Sequence, residues 1–333
     1  MSGAEAVTRV LVTGAGGPAG VAVIRSLLQR DGVEVFAADM DGWASGLYLV
    51  PAAQRRIVPP GKSAEFVDTL IEMCAADDID VLFSTVDVEL PPLARRREEL
   101  SAMLAAPTLD TLETCLDKFA LAVRCAPLLR TPTTHIVGAA ALAEDWTFPI
   151  IVKPRTGAGS RGVRLVHSRE ELEALGDAPE LIAQEHLPGE EYSVDVFADA
   201  GGNVVAAVPR TRTRVDSGVS IAGQTVQDGG LESTAAAVAT AIGLTGVANV
   251  QLRRDVAGVP ALLEVNPRFP GAMPLTIAAG VDMPSLALDL ALGLDVPDNV
   301  PFREIANVRF LEDLFVEVSD ILLSENAAHT EDD

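Results

Sequence analysis

The sequence predicts an α/β protein, with an amino-terminal doubly wound unit followed by two α+β subdomains. Over the first 105 or so residues, short apolar strand patterns alternate with amphipathic helix patterns. Further on, a strand pattern runs into the glycine-rich stretch Thr156 to Gly162 and resumes beyond it as a hairpin. Near residue 250, two strand patterns flank a turn-rich connection and place polar side chains at alternate positions.

Arg9 to Thr13 is a short buried-strand pattern. Glycines at 14, 16, 17 and 20 follow it, and then the helix pattern Val21, Val23, Ile24, Leu27, Leu28. Gly14, Gly17 and Gly20 stand where backbone amides can approach a phosphate, and Asp39 ends the next strand pattern, Glu34 to Ala38, where a ribose-binding acid sits in a dinucleotide site. Taken alone, this loop suggests an NAD(P)-binding dehydrogenase. The tyrosine and lysine four residues apart of the short-chain type are missing, since neither Tyr48 nor Tyr192 has such a lysine. A tight turn that packs helix on sheet is the better account. Ile57-Val58, a helix over Ala64 to Ala76 and Val81-Leu82-Phe83 continue the doubly wound alternation.

Pro107 breaks the chain before a helix that starts near Thr111 and carries Asp117-Lys118-Phe119. Strand Ile150 to Lys153 leads into the second glycine loop, and Val163 to Val166 returns. Here the lysine precedes the glycines, the reverse of a P-loop, so the loop reads as a flexible lid whose N–H groups fold over phosphate oxygens. Leu181 to Glu185, Tyr192 to Ala198 and Val204 to Val208 are strands, and Thr234 to Ile242 is a helix. Between two of those strands, Gln184 to Tyr192 offers backbone groups for a base edge and carboxylates for ribose hydroxyls.

Val250 to Arg253 and Ala261 to Asn266 form a hairpin about Ala257-Gly258. Symmetry puts Gln251 opposite Glu264 and Asn249 opposite Asn266. One face then carries Asn249, Gln251, Glu264, Asn266 and Arg268, and the other Val250, Leu252, Leu263 and Val265. Oxygen donors of Gln251, Glu264 and Asn266 converge as Mg²⁺ prefers. Arg210, Arg212 and Arg214 alternate along Pro209 to Val215, and on one strand they would share a face able to receive a carboxylate or an acyl phosphate, followed by the turn Asp216-Ser217-Gly218. Asp87 and Glu89 either recognise an amine or cap the helix after Pro91-Pro92. His135, His167 and His186 stand in no catalytic pattern.

The 333 residues are 48% hydrophobic and 22% charged, with no run of the roughly 20 apolar residues that a membrane span needs. Met1 to Thr8 lacks a secretory start, so the cytoplasm is the expected location. Cys74, Cys115 and Cys125 lack CxxC spacing and read as buried thiols. A formal charge of -23 argues against nucleic acid or an anionic membrane as partner, so any anionic ligand must be held by local Lys and Arg. Ser324 to Asp333 reads as a frayed acidic tail.

In order along the chain, Val10-Leu11-Val12-Thr13-Gly14, Ser84-Thr85-Val86-Asp87-Val88-Glu89-Leu90, Asp117-Lys118-Phe119, Val152-Lys153-Pro154, Gly189-Glu190-Glu191-Tyr192-Ser193-Val194-Asp195 and Glu264-Val265-Asn266-Pro267-Arg268 resemble the ATP-grasp superfamily, over nearly the whole length. The nearest branches are the carbamoyl-phosphate-synthase-like and pyrrolysine-biosynthesis-like carboxylate ligases. The resemblance implies a Rossmann-like pre-ATP-grasp domain over 1–107, an ATP-grasp lid over 108–184, a central nucleotide and metal subdomain over 185–302, and a carboxy-terminal segment with its tail over 303–333. Lys118 and Lys153 would hold ATP phosphates, with Thr156, Gly157, Gly159, Ser160 and Gly162 closing over them. Glu185 and Leu187 would meet adenine through backbone groups, and Glu191, or Glu190 in its place, the ribose. Glu264 would bridge two Mg²⁺ ions, or Mn²⁺, with Gln251 on one and Asn266 on the other. Arg268 would steady the transferring phosphoryl group. The implied activity is a ligase joining a small carboxylate to an amine or thiol through an acyl phosphate, with release of ADP and phosphate, and a homodimer as the assembly. An ATP-binding regulatory or scaffold protein without turnover is the alternative, and the dehydrogenase comes third.

Overall fold

Val10, Leu11 and Val12 are consecutive apolar residues with no exposed surface, and a strand buried on both faces belongs in the middle of a parallel sheet. The computed structural model describes residues 7–157, 159, 161–216 and 219–322. In it, β1 (Thr8–Thr13) is followed by α1 (Pro18–Leu27), β2 (Val33–Asp39), β3 (Arg55–Ile57), α2 (Phe66–Ala76), β4 (Val81–Ser84), α3 (Leu90–Arg95) and β5 (Met103–Leu104). The five strands are parallel in the order β3-β2-β1-β4-β5, with β1 at the centre. The doubly wound expectation holds. Cys74, Cys115 and Cys125 are buried free thiols, as the sequence predicts, and burial raises Cys74 to about 12.

Next come α4 (Leu109–Leu116) and α5 (Lys118–Cys125). The single helix predicted near Thr111 is therefore two. Asp117 between them has extended backbone (φ -107°, ψ 105°), and its side chain accepts from the amides of Phe119 and Ala120, which caps α5. The chain then forms β6 (Thr134–Val137), α6 (Ala139–Ala143), β7 (Ile150–Pro154), β8 (Arg164–Val166), α7 (Arg169–Glu173) and β9 (Ala178–Glu185). Their sheet runs β6-β9-β7-β8, with β7 and β8 as the predicted antiparallel hairpin.

The central layer holds β10 (Glu191–Ala198), β11 (Val204–Thr211), β12 (Arg214–Asp216), β13 (Val219–Gln224), α8 (Gly229–Ile242), β14 (Gly246–Arg254), β15 (Pro260–Asn266), α9 (Met273–Ala278) and α10 (Met283–Ala291). Its main sheet is β11-β10-β14-β15; a smaller one pairs β12 and β13 with β16 (Ala306–Val308). The stretch 108–184 divides between two cores. Cys115, Leu121 and Cys125 of α4 and α5 pack with Val194, Val250 and Leu231 beneath the central sheet, whereas Val137, Ile150, Val152 and Leu172 make a separate core.

Beyond β16, Leu322 is tied to the Tyr48 hydroxyl through its N–H, while Phe310, Leu311, Phe315 and Val318 are each more than three-quarters exposed. Ser217, Gly218 and the tail Ser324 to Asp333 lie outside the described residues. Among the described residues no helix is long and apolar enough to cross a membrane.

Candidate active site

Strand register assembles one polar face. Glu191 faces Arg253, Ser193 faces Gln251 and Asp195 faces Asn249 across β10 and β14; Gln251 faces Glu264 and Asn249 faces Asn266 across β14 and β15. Side chains alternate with period two, so these residues point the same way. The oppositions predicted from hairpin symmetry are the ones observed. Val194, Val250, Leu252 and Val265 point the other way and are buried with α8. One pairing differs. The register shifts after Gln251, so Leu252 lies opposite Leu262, and Leu262 rather than Leu263 enters the core. An extra residue on β15 at a bulge rotates its neighbours by one position.

Two ammonium groups meet this face. Lys118 is the first residue of α5, set there by the Asp117 cap; its Nζ lies 3.5 Å from Glu264 Oε2 and donates to the Gly157 carbonyl at 2.7 Å. Lys153, near the end of β7, is only 8% exposed. Burial pulls its ammonium down to about 8, partly countered by Glu264, deepened by Lys118 and countered again by Glu191. Arg155 pairs with Asp117 and so ties the root of the glycine loop to the start of α5. Burial alone would raise Asp117, but the Arg155 bond and the Ala120 and Phe119 amides hold it below the usual carboxylate range. Thr156, Gly157, Gly159 and Gly162 are exposed at the hairpin tip, while Ser160 lies outside the described residues.

At the other end of the face, Arg268 reaches the parallel-sheet domain: its Nε and Nη2 donate to Asp87 Oδ1 and Oδ2 at 2.8 and 2.9 Å. Neither Asp87 nor Glu89 caps α3 through its side chain, which corrects that reading. Glu89 is buried and accepts from the hydroxyls of Thr13 and Ser84; burial raises it, and those two bonds counter the rise.

The arginine stripe is also corrected. β11 ends at Thr211 and Arg214 belongs to β12, so the three arginines do not share one strand. Arg210 is 2% exposed and donates from Nε and Nη2 to the two Asp195 oxygens, each at 3.1 Å, so it does not present its guanidinium to a ligand. Arg212 lies 3.1 Å from Glu191 Oε1 and donates to Ser193 Oγ.

The side chain of Glu185 is held by Arg130 at 2.6 Å, and that of Leu187 is 2% exposed, which leaves backbone groups as what either can offer a ligand. Glu190 is drawn to the reverse face by the Tyr192 hydroxyl, while Glu191 stays on the polar face beside Lys153. In the first glycine loop, Asp39 Oδ2 accepts from the Gly16 amide at 2.8 Å, so the carboxylate closes the turn itself.

Sequence reasoning gave Asp195 no role. It is fully buried, and besides Arg210 it accepts from Asn249 Nδ2 at 2.7 Å and from the Thr276 hydroxyl. Its spacing of two and four residues from Ser193 and Glu191 was the available signal. Among the described residues no three His, Cys, Asp or Glu gather as a metal cluster. The Gln251, Glu264 and Asn266 set, with a single carboxylate, fits a hard cation that takes its remaining oxygens from phosphate and water.

Residues 10–105 match the family described as "PylC-like, N-terminal domain", and residues 177–314 the family described as "ATP-grasp in the biosynthetic pathway with Ter operon". A curated relative, pyruvate carboxylase of Schizosaccharomyces pombe, is 26% identical over 235 residues. That match takes in 62% of this chain and 20% of the relative, so the chain spans about a fifth of that protein's length. Among solved structures, biotin carboxylase of Campylobacter jejuni superposes with a TM-score of 0.72 at 18% identity, covering 89% of this chain and 74% of that one. L-amino acid ligase of Bacillus licheniformis gives 0.67 at 19%, covering 86% and 75%. The fold is therefore ATP-grasp, preceded by a PylC-like domain.

Proposed function

We propose that this ATP-grasp chain is an ATP-dependent ligase that activates a small carboxylate as an acyl phosphate and transfers the acyl group to an amine. One observation carries the reading: two ammonium groups, one of them buried, are packed against a face bearing Glu264 between two amides. Two like charges, one buried and one half-buried, beside one carboxylate are costly on their own, and a polyphosphate supplies the missing negative charge.

The proposed roles follow from placement. Lys153 and Lys118 hold the phosphates, and the loop from Thr156 to Gly162 closes over them. Glu185 and Leu187 offer backbone groups to adenine, and Glu191 takes the ribose. Glu264, Gln251 and Asn266 hold two Mg²⁺ ions, with Mn²⁺ as a substitute; when bound, such ions neutralise phosphate charge. Attack of a carboxylate oxygen on the γ-phosphorus breaks the bond to ADP, and amine attack on the acyl carbon then expels phosphate. Arg268 steadies the transferring group from the domain seam. Arg210 acts as a positioning residue: through Asp195 it fixes Asn249, the neighbour of Asn266. Arg212, on the open face beside Glu191, is the arginine proposed to meet the acyl phosphate. A closed lid keeps water from that intermediate.

Release of ADP and phosphate from MgATP, screened over small carboxylates paired with amines, tests the proposal. Glu264→Gln should lower turnover at least about 100-fold. Products of AMP and pyrophosphate, or full turnover in that variant, would overturn it. MgATP binding without ADP release for any pair would instead mark a nucleotide-binding scaffold.

A further inference from the structure

The seam between the parallel-sheet domain and the central sheet leaves a crevice of about 260 Å³. One side is formed by Ser84 and Leu104, at the carboxyl ends of β4 and β5, the edge where open parallel sheets receive ligands. The opposite side is apolar and includes Val247, Phe269 and Leu290.

The charges on its wall run against the composition. The chain has 48 acidic and 25 basic residues. Among the described residues the wall has two arginines, Arg97 and Arg268, and no carboxylate; Arg268 is already paired with Asp87 just outside the lining, which leaves Arg97 as the cation able to answer an anion. Arg97 Nη1 donates to the Leu104 carbonyl at 3.2 Å, and Nη2 to those of Ala106 and Pro107 at 2.8 and 2.9 Å. These bonds aim the guanidinium but bring no formal negative charge. Burial lowers Arg97 from its ordinary value, with Glu98 countering only in part. Such a cation gains from an anion placed in the crevice. Arg268 lies two residues beyond Asn266, so an occupant would be felt at the polar face through one side chain.

We propose that this crevice binds a small monocarboxylate with an apolar body, its charge answered by Arg97 and its body lying on Phe269 and Leu290. Two sources share that chemistry: the acid that the proposed ligase activates, and an effector that is never turned over. Binding does not rest on the proposed activity; only the choice between the two sources does.

Calorimetric titration of the full chain with hexanoate, phenylacetate and benzoate, without nucleotide, tests it. At least one acid should bind saturably, and hexylamine, with the body of hexanoate and the opposite charge, should not. Ala291→Phe, which fills the crevice, and Arg97→Gln, which removes the charge, should each weaken acid binding at least tenfold. MgATP affinity should stay within twofold in Ala291→Phe. Met103→Trp, on the exposed rim, serves as the filling variant if Ala291→Phe fails to fold. The proposal is overturned if no acid binds at millimolar concentration, or if binding is undiminished in the filling and charge variants. ADP release when the bound acid is added with MgATP marks the substrate, and binding without release marks the effector; both sustain the site. Absence of ADP release with every acid counts against the ligase reading alone.

Discussion

At Gly20 a Cβ would stand 2.1 Å from the carbonyl oxygen of Gly14, whereas at Gly157 no described atom lies within 4 Å of the same position. Both glycines belong to glycine-rich segments that the sequence presents as phosphate loops after a buried strand, although Gly20 itself falls inside α1. In the first turn, α1 presses so closely on the end of β1 that there is no room for a side chain, and Asp39 closes what remains. At Gly157 and Gly159 of the second there is open space among the described atoms, and glycine serves the backbone: Gly157 has φ 112°, a conformation that other residues rarely adopt. Glycine content is thus a poor guide to ligand binding. What distinguishes the turns is whether cations stand beside them, and only the second has Lys118 and Lys153 at its root.

Four measurements press on that contrast. Gly20→Ala should have the largest effect, because backbone atoms cannot rotate out of the way. We expect a loss of about 3–5 kcal/mol of stability in urea titration, with ADP release per folded molecule unchanged. A mild effect would mean that the first turn is not closed by packing. Lys153→Met should reverse the pattern. It should lower kcat/KM for MgATP about 100-fold, while stability holds or rises because a buried cation has gone.

The pH dependence of Lys153 is the third. Folding lowers this ammonium from 10.5 to about 8, so below about 8 both states carry the proton and the folded chain bears the full cost of burying it. Between about 8 and 10.5 the unfolded chain binds the extra proton, and stability should rise with pH over that window. Lys153→Met should flatten this limb of a denaturation series. Catalysis should show the opposite slope, with kcat/KM for MgATP falling above about pH 8 as the positive charge is lost. Gly157→Ala should be the smallest: about 1 kcal/mol of local strain, a nearly unchanged melting temperature and about a threefold rise in KM for MgATP. A large loss of stability there would show that the second turn, too, is held by packing.

Much of the site was legible because it is local. Gln251 and Glu264 belong to one hairpin, so counting from the turn was enough to oppose them, and the count failed only past the bulge, at Leu262 and Leu263. Lys153 and its loop are neighbours in the chain. Arg210 was misread for the converse reason. Alternation tells which residues share a face, but not whether that face meets a ligand or a buried carboxylate fifteen residues away.

By itself, then, the sequence determined the alternating parallel domain, the hairpin of β7 and β8 and the row of polar side chains on one side of β14 and β15. These follow from the two-residue period of a strand and from short connections. Only the tertiary structure decided that Arg268 pairs with Asp87, 181 positions away, that Asp195 gathers Arg210, Asn249 and Thr276, and that Lys118 and Lys153 converge on Glu264. A charged side chain takes its partner from whatever packing brings within reach, and no periodicity in the chain encodes that choice.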